Sequence, residues 1–390
     1  MHKSLFVGRD VALDHFDGGH PVTIVTFEAR DKSILATKPK PFGSGFGRGV
    51  FAELGLNEFL VKRSWNHWYQ TAEMLEVAAL INAQTRGTKV ITYGGSMGGF
   101  AAINFAPMLN AYKFIALSAP FDVRADNVLN DNRWTADTKH FSFLYNFIRA
   151  GACRSACGYA FYCSVGIDGD HAKLIGEQTR ATLVPVDYGG HPCSFYLNDT
   201  YKLKQLVSEI AFDQFDVDRF YAVVREKTPD TYYPHYHESV ACAEAGDIRG
   251  AIRSIRTAVS CKPSNARLHA RHAELLLKNK DSALARTAFE TAIQLEPKDA
   301  HYRVRLSHAC AALNDWPEAV HQMEIAVSLN KMKYEYHARL SECLIKAGAL
   351  AKAEASMAEA VRLAPEAENP RLRLAAIRRR LAIYSRLGLT

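Results

Sequence analysis

The chain has 390 residues, 48% hydrophobic and 23% charged, with a formal charge of +7 at pH 7. At about 100–200 residues per domain this means two or three domains, with ample apolar material for real cores. No run approaches the roughly 18 apolar residues of a membrane span, and the amino terminus meets charge at Lys3, Arg9 and Asp10 too early for a secretory signal, so a cytoplasmic protein is expected.

The first 228 or so residues alternate β-type and helical segments. Val22–Phe27 is β-branched and apolar, and a Gly-rich loop over residues 42–49 follows. Glu58–Lys62 reads as a second strand. Residues 68–85 read as a helix with Met74, Leu75, Ala78 and Ile81 on one stripe. Lys89–Tyr93 is a third strand, residues 100–108 are helical, and residues 112–118, 161–165 and 182–186 give three more strands. Such alternation predicts an α/β fold, a mainly parallel sheet covered by helices on both faces. The glycines at 43, 45, 47 and 49 do not meet G-x-G-x-x-G, and no Lys-Ser/Thr ending follows, so no nucleotide cofactor is expected. Eight scattered cysteines, with Cys153 and Cys157 the closest pair and no second pair at zinc-type spacing, read as free buried thiols; no metal is expected.

Gly94-Gly95-Ser96-Met97-Gly98 is a G-x-S-x-G pattern, which chance supplies in about one chain in ten of this length. Its context adds weight, since a β-type run ends at Tyr93 and a helix-compatible run starts near Phe100. A serine hydroxyl is a weak nucleophile and needs a base, which in turn needs an orienting acid. Both follow in order: Gly166-Ile167-Asp168-Gly169-Asp170-His171 after one strand, and Gly189-Gly190-His191 after the next. On these three motifs residues 20–200 resemble an α/β-hydrolase. The resemblance implies Ser96 as nucleophile, His191 as general base and acid, and Asp168 as the orienting acid, with Asp170 the alternative. Asp170 also reads as the N-cap of a helix starting at His171, and His171 as an exposed helix residue. The oxyanion hole is expected from the N–H of Met97 plus Glu28 or Ala29 after the first strand. Asn66-His67-Trp68-Tyr69 is either a substrate wall or a helix cap with a buried Trp. Residues 121–158 occupy the place of a lid-like insert; Trp134, Phe141, Phe143, Tyr145 and Phe147 either line a pocket or form the insert's own core.

The second half contains no strand-like run, and it repeats. Ala251, Ala285, Ala319 and Ala353 are 34 residues apart, as are Ala258, Ala292, Ala326 and Ala360, and Ile255, Phe289, Met323 and Met357 between them. Pro263, Pro297 and Pro365 close three units, with Lys331 in the fourth. Residues 232–367 thus resemble four tetratricopeptide repeats, an all-α solenoid that implies a groove for a protein or peptide partner. Residues 369–390 would be a capping helix. Between Pro370 and Thr390 it carries six arginines and no acid, which reads as a solvated face or as contact with an acidic partner, membrane surface or polyanion.

The whole predicts a hydrolase-like domain (1–228), repeats (232–367) and a cap. The expected activity is that of a serine hydrolase on a small-molecule or glycan acyl ester. An acyltransferase acting on a sugar or polysaccharide, and a repeat scaffold with an inactive hydrolase domain, are the alternatives. No recognition module for nucleic acid is present.

Overall fold

The computed structural model describes residues 2–31, 34, 39–124 and 126–386. The chain divides into two units, Met1–Thr228 and Pro229–Thr390. Among the described residues the first holds eight strands: β1 His2–Val7, β2 Val11–Phe16, β3 Val22–Phe27, β4 Asn57–Arg63, β5 Lys89–Gly95, β6 Lys113–Leu117, β7 Cys157–Cys163 and β8 Arg180–Val186. They form one sheet in the order β1-β2-β4-β3-β5-β6-β7-β8. β2 pairs antiparallel with both β1 and β4, and every other pair is parallel, so the sheet is mixed. Its helices are α1 Glu73–Gln84, α2 Met97–Asn104, α3 Thr135–Thr138, α4 Ile167–Gln178, α5 Ser194–Thr200, α6 Leu203–Ala211 and α7 Val217–Lys227.

β3 lies mid-sheet and all six of its residues are buried, as its β-branched composition requires. The hydroxyl of Thr26 is satisfied by donating to Phe46 O at 2.8 Å. α2 is buried at every position, which its sequence MGGFAAIN allows by carrying one polar residue, Asn104. The sequence reading did not include β1 and β2. β1 is a largely exposed edge strand, and the alternation of β2 is broken by Asp14. That carboxylate is buried but pairs with Lys62 Nζ at 2.6 Å. Burial would push it upward, and the bonds from Lys62 and His2 outweigh that and hold it below the usual range.

Helix bounds differ from the expected ones for local reasons. α1 starts at Glu73, not 68, because Trp68 and Tyr69 sit at φ 53° and 59°, outside the helical region. Val77, not Leu75, completes its buried stripe. On β4 the Glu58 carboxyl is fully buried under the glycine loop. Among the described residues its Oε2 receives only a long 3.4 Å bond from Gly49 N–H, and Oε1 has no partner. Burial pushes this acid up to about 7.

The described residues of the second unit form helices joined by short turns: α8 Tyr233–Glu244, α9 Ile248–Cys261, α10 Ala266–Lys278, α11 Ser282–Leu295, α12 Ala300–Ala312, α13 Trp316–Leu329, α14 Tyr334–Lys346, α15 Leu350–Leu363 and α16 Glu368–Arg386. The three columns with 34-residue spacing all lie on α9, α11, α13 and α15, and all twelve residues are fully buried. Asp247, Asn265, Asp299 and Asp315 cap helix N-termini through their side chains. A fourth column lies where the first helix of each pair ends. Gly246, Lys280, Asn314 and Gly348 all adopt positive φ, the left-handed step that terminates a helix. α16 buries Leu374 and Ile377 beside Met357 and Ala360. Residues 387–390 of the expected cap lie outside the described residues, as does residue 125 of the insert. The eight cysteines are free, and five are buried, whereas Cys261 is exposed. Among the described residues no helix is long and apolar enough to cross a membrane.

Candidate active site

β5 runs into α2 through a single residue, Ser96. A strand and a helix joined so tightly need a backbone conformation that ordinary residues avoid, and Ser96 sits at φ 53°, ψ −115°. Such strain costs on the order of 1–3 kcal/mol and persists only where the surroundings enforce it. Here β6 and α2 enforce it: Ser96 N–H donates to Leu117 O at 2.8 Å, and Phe100 N–H returns to Ser96 O at 2.9 Å. The glycines are a steric necessity. A Cβ on Gly94 would fall 2.3 Å from the Gly98 carbonyl carbon, and one on Gly98 would fall 2.2 Å from Phe27 O.

Ser96 Oγ lies 2.8 Å from His191 Nε2, and His191 Nδ1 lies 2.7 Å from Asp168 Oδ2. With a carboxylate at Nδ1, that nitrogen carries the proton and Nε2 is left to accept from the serine hydroxyl. The loop bearing His191 is pinned by Cys193 N–H, which donates to Ser118 Oγ at 3.0 Å. Asp168 comes from the first turn of α4, which starts at Ile167 after Gly166. This corrects the expected start at His171: Asp170 caps no helix, is exposed, and is not in the chain of hydrogen bonds, whereas Asp168 is buried. Burial alone would raise Asp168; the His191 bond and the Arg133 guanidinium outweigh it and hold the carboxyl below its usual range.

His171 is also corrected, being buried rather than exposed. Its Nδ1 accepts from Phe121 N–H at 3.0 Å, so its Nε2 donates to Asp131 Oδ2 at 2.9 Å. Burial, ahead of the neighbouring charges, lowers its pKa, so the ring is neutral near pH 7. Arg133 links this pair to the first. It grips Asp131 through Nε and Nη2 at 2.8–3.1 Å and reaches Asp168 Oδ1 with Nη1 at 2.8 Å. Burial pushes Asp131 up, and the bonds from Arg133 and His171 bring it down to about 2. Arg133 also lies over Trp134 at 4.4 Å, and that ring stands 5.6 Å from His191. Asp131, Arg133 and His171 were not read from the sequence as site residues. The visible signal was Asp131-Asn132-Arg133-Trp134, charge set beside an indole in an otherwise aromatic insert.

The rest of the insert behaves differently. Tyr145 and Phe147 pack on Phe105 of the main core. Gln70 and Asn104 tie down their backbone, Tyr145 N–H donating to Gln70 Oε1 at 2.8 Å and Phe147 N–H to Asn104 Oδ1 at 2.7 Å. They belong to the main core rather than to a separate core of the insert. The 66–69 cluster is framework as well. Asn66 holds Asp31 through both its backbone groups, and burial keeps His67 down at about 4 although it bonds Asp10 O. Tyr69 OH donates to Glu28 O at 3.0 Å, and Arg63 donates to Ala29 O, fixing the loop after β3. That loop abuts Gly98, next to Met97. As the first residue of α2, Met97 has an N–H with no intrahelical acceptor. The Glu28 side chain turns away, accepting from Arg63 N–H at 2.9 Å.

The tetratricopeptide repeat family model matches residues 241–300 and 304–368. No curated protein matches the chain. Among solved structures, MamA (from residue 41) of Desulfovibrio magneticus RS-1 is similar at 18% identity, over 47% of this chain and 98% of its own, with a TM-score of 0.35. A thermophilic TPR protein of Thermus thermophilus gives 18%, 47%, 98% and 0.34 in the same order. YrrB, a TPR protein with an unusual peptide-binding site, gives 16%, 46%, 90% and 0.36. With the family match falling on helix pairs of 34-residue period, the C-terminal region of this chain is built of tetratricopeptide repeats.

Proposed function

We propose that the first unit is a serine hydrolase of the α/β-hydrolase type, acting on an acyl ester through an acyl-enzyme, and that the repeats bring it to a protein partner. The observation that carries the first part is the Ser96–His191–Asp168 hydrogen-bond chain hung on a strained strand-to-helix turn. In this reading Ser96 Oγ attacks the substrate carbonyl while His191 Nε2 takes its proton. Asp168 keeps its charge and steadies the imidazolium. The N–H of Met97, with that of Glu28 or Ala29, would receive the oxyanion. Collapse expels the alcohol, which takes the proton from His191. Water then attacks the acyl-serine with the same base, releasing the acid and restoring the hydroxyl. A sugar hydroxyl in place of that water would make the same site an acyltransferase. The test is fluorophosphonate labelling of purified protein. Wild type should label, and Ser96→Ala and His191→Ala should not; labelling independent of Ser96 would overturn the reading.

The family match favours a second reading, a repeat scaffold whose first unit does no chemistry. Unchanged cellular behaviour in Ser96→Ala, with loss on substitution of repeat residues, would select it.

A further inference from the structure

Within the insert, residues 131–137 stand apart, because Asp131, Arg133 and Asp137 each reach a group outside it. At one end Asp131 Oδ2 accepts from His171 Nε2 at 2.9 Å, and Arg133 Nη1 donates to Asp168 Oδ1 at 2.8 Å. Both partners stand on α4, which follows β7. At the other end the buried carboxylate of Asp137 takes Nε and Nη2 of Arg30, the second at 3.1 Å. Arg30 follows Ala29 in the loop after β3. The segment therefore ties the element after β7 to the loop after β3. Between those two strands the sheet holds β5, which leads into Ser96, and β6. All four strands are parallel, so the segment crosses the strand ends at which Ser96 sits.

Its own bonds make it stiff. Asn127 holds both backbone groups of Asp131, accepting from its N–H at 3.0 Å and donating to its carbonyl at 2.9 Å. Asp137 N–H donates to Trp134 O at 2.9 Å as the chain turns into α3. Midway the buried Trp134 ring stands 5.6 Å from His191 and 5.4 Å from Trp68. Aromatic packing alone would not need two buried carboxylates. Burying a carboxylate is tolerated only where a partner meets it in good geometry, so Asp131 and Asp137 fix the segment in one place. The loop after β3 is itself held by Tyr69 and Arg63, so Arg30 offers Asp137 a fixed anchor.

We propose that residues 131–137 are a brace across the site: anchored on Arg30, they carry Arg133 to Asp168, which makes Arg30 and Asp137 positioning residues for an acid they do not touch. The proposal rests on the hydrolase reading and deepens it. Asp168 spends one oxygen on His191 and the other on Arg133. The Arg133 fork is aimed by Asp131, which takes its Nε and Nη2. Freeing the Arg30 end lets this fork drift, and a displacement of about 1 Å at a catalytic group can cost about a hundredfold in rate.

The test is turnover of 4-nitrophenyl acetate by the full chain, beside fluorophosphonate labelling of Ser96. Asp137→Asn should lower kcat about tenfold and leave KM within about twofold, with an unchanged circular dichroism spectrum. This variant leaves no buried charge unpaired, because Arg30 is partly exposed; Arg30→Gln should show the same loss. The deciding variant combines Asp137→Asn with Arg133→Met. It should lose no more than about tenfold, because one residue acts through the other, whereas independent contacts would multiply to about a hundredfold. Lys89→Gln breaks the pair with Asp213 at the start of β5 and should match wild type. A hundredfold loss in the double variant, or an equal loss in Lys89→Gln, would overturn the brace. Wild type and Asp137→Asn that label and turn over ester equally would sink the brace and leave the hydrolase standing. Wild type that neither labels at Ser96 nor turns over ester would sink both.

Discussion

The two units solve opposite problems. In the first, residues far apart in the chain converge on one point: Ser96 meets His191, and Arg133 from the insert meets Asp168 of α4. It also carries local costs, a strained serine and a buried Glu58 carboxyl whose Oε1 has no partner among the described residues. In the second, each helix pair repeats the last, the same columns are buried four times, and neighbouring repeats supply the contacts. Concentrated function should fail at one substitution. Distributed structure should degrade by increments.

The largest expected effect tests that concentration. On the proposed hydrolase reading, Ser96→Ala should lower ester turnover on the order of a million-fold. Thermal stability should not fall, because the side chain removed is small and the backbone strain stays. Retained turnover would remove the contrast between the units.

Glu58→Gln comes next. A carboxyl held at about 7 in the folded state, against about 4.3 unfolded, binds its proton more tightly when folded. Its contribution is therefore favourable below pH 4.3, is lost as pH climbs toward 7, and stays unfavourable above. The stability gap between Glu58→Gln and wild type should grow by about 3 kcal/mol from pH 4 to pH 8. Urea titrations at the two pH values measure it, and a constant gap would contradict the burial argument.

Arg133→Met should be smaller, about tenfold in turnover, because it loosens Asp168 without removing it. It also removes a cause of the depressed Asp131 and Asp168 carboxyls. Stability from a depressed carboxyl is present above the unfolded pKa and lost as pH falls through the folded one. The variant should therefore unfold at a higher pH in an acid titration, with no difference near neutrality in its protonation-linked slope.

The smallest effect belongs to the solenoid. Lys280 occupies the left-handed step that Gly246 and Gly348 occupy in other repeats, at φ 68°. Lys280→Gly should stabilise the second unit by about 1 kcal/mol and leave turnover untouched. Chemical denaturation followed by hydrogen exchange would separate the units.

Where sequence and structure part company follows from range. Period and turn chemistry are local. Small residues every 34 positions can be read because each does the same packing job, and Gly94 and Gly98 are legible because a Cβ at either would collide with backbone. The order serine, acid, histidine is legible for the same reason, since each follows a strand. What the tertiary structure decided is which groups meet. Asp168 rather than Asp170 faces His191 because α4 starts at Ile167, burying one carboxylate and exposing the other two residues on. β2 was hidden because Asp14 looks wrong for a buried strand until Lys62, 48 positions away, is placed beside it. The insert arginine joins the candidate site only because the fold carries it across 35 positions to Asp168.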